Sequence, residues 1–61
     1  MLYKMYFNFF EKETLNRKQR NGKADRMIGA DDKVNAVREL HRYVKRNYPN
    51  VIVTKINRIE S

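Results

Sequence analysis

Residues 31–48 read DDKVNAVRELHRYVKRNY, and the rest of the chain is best understood from this stretch outward. At about 100° per residue it sorts into an amphipathic helix. Val34, Val37, Leu40, Val44 and Tyr48 collect on one side, and Arg38, Arg42, Lys45 and Arg46 on another. Asp31 is the expected N-cap, with Asp32 in the first turn, where carboxylates meet the positive helix end. Lys45 and Arg46 suit the negative end, and Pro49 biases Tyr48 away from helical geometry, so the helix should stop at Asn47 or Tyr48.

An apolar helix side needs a surface to cover, and the N-terminal stretch supplies one. Leu2–Phe10 (LYKMYFNFF) is rich in aromatics and reads as a strand. With a period of two, Tyr3, Met5, Phe7 and Phe9 form the core face, and Lys4, Tyr6, Asn8 and Phe10 point the other way. Residues 11–26 are almost wholly polar and contain Asn21-Gly22, a strong short hairpin signal because both residues accept positive φ. The expected structure is a hairpin with a long basic tip at about 11–26, returning through a second strand over Lys23–Ala30 that carries Met27 and Ile28. Beyond the helix, Pro49-Asn50 turns the chain into Val51–Ile59 (VIVTKINRI), β-branched and imperfectly alternating, which makes the third strand.

The fold class is therefore α+β: a small ββαβ domain over residues 1–61. A three-stranded antiparallel sheet of order 2-1-3 carries one helix packed on one face. The first strand, the most apolar, is central. This element order recurs in many small unrelated proteins, including ones from phages and mobile elements, and by itself transfers no activity.

Composition narrows the function classes. At 61 residues the core is small, since a chain of this size buries only about 60% of its unfolded surface. There is no cysteine and one histidine, which rules out disulfides and makes a structural zinc site implausible. No apolar run approaches the roughly 20 residues that span a bilayer, and the N-terminus lacks a signal-peptide pattern. A cytoplasmic protein without cofactor or metal is expected. Fourteen Lys and Arg against seven Asp and Glu leave a net charge of +7, and a polyanion is the natural partner of such a chain.

Two basic clusters are the candidate contacts. Arg38, Arg42 and Arg46 recur every four residues and stack along one helix edge beside Lys45, as planar donor forks that phosphates can accept bidentately. Arg17, Lys18, Arg20 and Lys23 form a second cluster on the hairpin tip, where a basic ribbon can clamp a nucleic-acid backbone. The bland counterparts are a solvated helix face and a loop that is basic for solubility. Tyr6 and Phe10, on the sheet face away from the helix, suit either stacking on unpaired bases or burial against a protein partner, and the latter is the commoner fate of such a face.

His41 lies at the border of the apolar and basic arcs and is expected to pack its ring; no second proton-transfer group accompanies it. Asp31-Asp32 is explained by capping and Glu11/Glu13 by a solvated strand end. The expectation is thus a non-enzymatic DNA- or RNA-binding accessory or regulatory protein with weak sequence preference. The alternative is a protein-interaction module, such as an inhibitor, an antitoxin-like factor or an adaptor. It would dock an acidic partner, or a second copy as a homodimer, through its open sheet face or an edge strand.

Overall fold

The structure, a computed structural model, describes residues Met1–Ser61. Three ten-residue strands and one helix follow in the order β1 (Leu2–Glu11), β2 (Arg20–Gly29), α1 (Lys33–Asn47) and β3 (Val51–Glu60). The strands form one antiparallel sheet of order β2-β1-β3. This is the expected small α+β domain, with β1 in the centre.

The core lies between α1 and one sheet face. Tyr3, Met5 and Phe7 of β1, Ile28 of β2, and Ala36, Leu40 and Val44 of α1 are buried. Period two in β1 and a spacing of four in α1 generate these sets. On the helix the apolar side differs from expectation. Val34 is 71% and Tyr48 53% exposed, while Ala36, a small residue that lets the helix approach the sheet, is buried. At 100° per residue Val34 lies about 120° round from Leu40, too far to reach the sheet, and Tyr48 stands beyond the last helical residue as the C-cap. The N-cap is Asp32 rather than Asp31: its backbone is extended, and its carboxylate accepts from the Asn35 N–H at 2.8 Å. The Tyr48 N–H closes the other end on the Val44 carbonyl.

The hairpin also differs from expectation. Asn21-Gly22 is not its turn. β2 begins three residues before Lys23, at Arg20, and Asn21 and Gly22 pair with Phe10 and Phe9 inside the ladder. The connection is Lys12–Gln19, closed by mutual Thr14–Arg17 backbone hydrogen bonds. No residue, glycine included, has positive φ. What Gly22 supplies is room: a Cβ there would collide with the Phe9 ring, whose Cε2 lies 2.7 Å from the place it would take.

The imperfect alternation of β3 has a structural cause. Its register against β1 slips between Tyr6 and Phe7 and again between Asn8 and Phe9, so that Ile59, Ile56 and Val53 face Met5, Phe7 and Phe9 in turn. Each slip admits one extra residue, first Asn57 and then Thr54. A spacing of three apolar positions is thereby rephased onto one face by two bulges.

Candidate nucleic-acid interface

The helix, about 22 Å long at 1.5 Å per residue, is shorter than the strands, at about 33 Å, and leaves part of the sheet bare. Between its C-terminal half and β2 lies a cleft of about 350 Å³. Phe7, Phe9 and Ala24 floor it, Tyr43, Val44, Tyr48 and Val51 wall it, and Arg17, Arg20 and Arg26 stand around it with the carboxylates of Glu11 and Asp25. Register explains how β2 contributes. Arg26 and Ala24 lie opposite Met5 and Phe7, so both belong to the helix-facing side of the sheet. The Arg26 guanidinium sits 3.7 Å from the centre of the Tyr43 ring, and that of Arg20 5.5 Å from the Phe9 ring. Tyr43 and Tyr48 meet edge to face, 6.2 Å apart.

The expected tip cluster is divided by this geometry. Arg20 donates from Nε to Glu11 at 2.6 Å, and Arg17 lies 3.9 Å from the same carboxylate; both border the cleft. Lys23 pairs with Asn8 in the ladder and so belongs to the opposite face. Lys18 is exposed in the connection.

The helix cluster holds together. Arg38, Arg42, Lys45 and Arg46 are all exposed, opposite the buried arc around Leu40. Only Arg42 has an ion-pair partner, Glu39 at 3.1 Å. Arg46 follows Tyr43 by three residues and stands about 60° round from it, on the flank that Tyr43 turns toward Arg26. Arg42 and Arg46 are not among the residues that line the cleft, whose helix side is Tyr43 and Val44 with the C-cap Tyr48. Sequence reasoning does not single out Arg26. The one signal for it is its place two residues before Ile28, on the same face of β2.

On the open sheet face Tyr6 is occupied. Its hydroxyl donates to Glu60 at 3.0 Å, and Lys4 and Arg58 lie 5.4 and 5.9 Å from its ring. Asn57 donates to Asn8 at 2.8 Å beside it. Phe10 is half-buried and pairs with Ile52 at the far end of the face. The face is a mosaic of cations, amides and aromatics, not a continuous apolar patch. His41 is exposed rather than packed, because at about 100° from Leu40 on the helix wheel its ring reaches only the rim of a hollow beside Lys45, Pro49 and Ile52. No group of three or more His, Cys, Asp or Glu side chains is placed to hold a metal ion. No helix is long and apolar enough to cross a membrane.

Two groups have raised pKa values. Burial beside the cleft pushes the Tyr43 phenol up and Tyr48 adds to this, while Arg26 opposes it. Lys4 is raised chiefly by its interactions with Tyr6, then by Asp25, with desolvation opposing. For both, the folded value exceeds the unfolded one. The stability they contribute is whole below the ordinary values of 10.0 and 10.5 and is lost as pH rises through the folded pKa. The thermal midpoint should accordingly fall as pH is raised beyond about 10, and Tyr43→Phe should fall less steeply. An equal slope in melts followed by circular dichroism would refute the account of Tyr43.

Compared with known proteins, the chain matches no family model, no curated protein and no solved structure.

Proposed function

We propose that the protein is a non-enzymatic nucleic-acid-binding accessory or regulatory factor that grips phosphates through the outer helix row and the arginines around the cleft. The observation that supports this reading is the state of the arginines. Arg26, Arg38 and Arg46 make none of the four ion pairs in the molecule, and all three are exposed. Guanidiniums without a carboxylate partner, in a chain of net charge +7, are free to take phosphates, and a polyphosphate that binds them releases its own counterions. Docking of an acidic protein on the open face has less support. Tyr6 is already bonded to Glu60, and the two bulges in β3 blunt one free edge of the sheet against strand addition.

Anisotropy of a labelled nucleic-acid strand across a salt series tests the reading. The logarithm of affinity should fall linearly with the logarithm of salt concentration. Replacing Arg42 and Arg46 together by glutamine should flatten the slope by about 1.4–1.8, at roughly 0.7–0.9 for each phosphate no longer neutralised. No binding to DNA or RNA at low salt would remove the proposal. An unchanged slope in the double variant would move the grip off the helix.

A further inference from the structure

The cleft has a composition that a phosphate grip alone does not require. Four aromatic rings, Phe7, Phe9, Tyr43 and Tyr48, converge on it under three guanidiniums. From this we infer that the cleft takes one unpaired nucleobase, stacked among Tyr43, Phe9 and the Arg26 guanidinium, with the adjoining phosphate held by Arg26 and Arg20. The inference rests on the nucleic-acid reading and deepens it: the partner is a single strand.

Three observations converge on this occupant. At about 350 Å³ the cleft lies near the lower end of ligand pockets, about 300–1,000 Å³, which suits one flat ring and its sugar-phosphate. Arg26 lies at stacking distance on Tyr43 and makes no ion pair, so its other face and its N–H edges remain available. Unpaired bases stack on such guanidinium planes as well as on aromatic rings. Arg20 commits Nε to Glu11 and keeps its two terminal amino groups for an anion.

An aliphatic side chain in the same place would strip water from Arg26 without offering an acceptor, which is unfavourable for a charged group. A base brings hydrogen-bonding edges and a phosphate tail. Within a duplex the bases are stacked on one another, so only a splayed-out base of a single strand can enter.

The test compares labelled oligothymidylate and oligouridylate with an abasic strand of the same backbone length, which keeps the phosphates and lacks the rings. At least one base-bearing strand should bind about tenfold tighter than the abasic one, the size expected for stacking of a base on an aromatic ring. Tyr43→Ala should erase that advantage, bringing the base-bearing affinity down to the abasic affinity of the same variant. Arg26→Lys, at an exposed position, keeps the charge but loses the planar stack, and should lower the ratio of base-bearing to abasic affinity as well. Equal affinity for base-bearing and abasic strands overturns the inference while the phosphate grip stands. An advantage that survives both substitutions also overturns it, because the base is then read elsewhere. Binding of neither kind of strand removes both readings. Preference for a glutamate-tyrosine copolymer over every strand replaces the base with an acidic peptide.

Discussion

Leu40→Ala should leave most of the chain unfolded at 25 °C. Leu40 is fully buried at the centre of the helix stripe, between Ala36 and Val44, and with Met5 it is one of the two largest side chains with no exposure. Truncating such a leucine costs about 2–5 kcal/mol, the lost transfer free energy plus the cavity left behind. A core in a chain below about 70–80 residues rarely supplies more than about 3–5 kcal/mol in total. No disulfide is present to compensate. The two magnitudes are comparable, so the variant should show little native helix signal by circular dichroism and no cooperative urea transition. Val34→Ala, at a position 71% exposed, should stay within about 0.5 kcal/mol of the parent. A Leu40→Ala chain that melts like the parent would mean the helix does not pack as described.

Gly22→Val offers a test by sign. Valine has high strand propensity and glycine low, and Gly22 lies within a strand with no positive φ, so propensity alone predicts stabilisation. The structure predicts the reverse. The Phe9 ring lies across Gly22, and a Cβ would force it off the strand and away from Arg20. Overpacking of this kind costs about 1–3 kcal/mol. Because the obstacle is one side chain, removing it should remove the penalty: in a Phe9→Ala background, Gly22→Val should be neutral or stabilising. Urea midpoints of the four proteins in this cycle give the coupling directly. A stabilised single variant would place the Phe9 ring elsewhere.

How far these features can be read from sequence depends on which rule governs them. The central strand, its buried face, the helix and its C-terminal end follow from periodicity and from Pro49, and these rules are local. The hairpin turn is misplaced by sequence reasoning because Asn21-Gly22 satisfies the turn rule equally well. In the structure Gly22 instead pairs with Phe9 within the ladder and lies under its ring, a cross-strand contact that no local rule contains. The rephasing of β3 likewise depends on where its partner lies. Of the candidate phosphate-binding groups, the helix row is legible because a spacing of four fixes a face. Arg26 is not: an isolated arginine in a polar segment acquires meaning only when the register places it opposite Met5 and beside Tyr43.

The central place of β1 also sets an order of assembly. Glu11 meets Arg20 only nine positions on, whereas Tyr6 reaches Glu60 across fifty-four. Closing the shorter loop costs less chain entropy, so the hairpin can form early, with one flank of the most apolar strand still unpaired. That flank is a template for another nascent chain until β3 arrives. A ribosome-bound chain that has exposed only the hairpin should therefore self-associate more readily than the folded domain, in which β3 covers that flank.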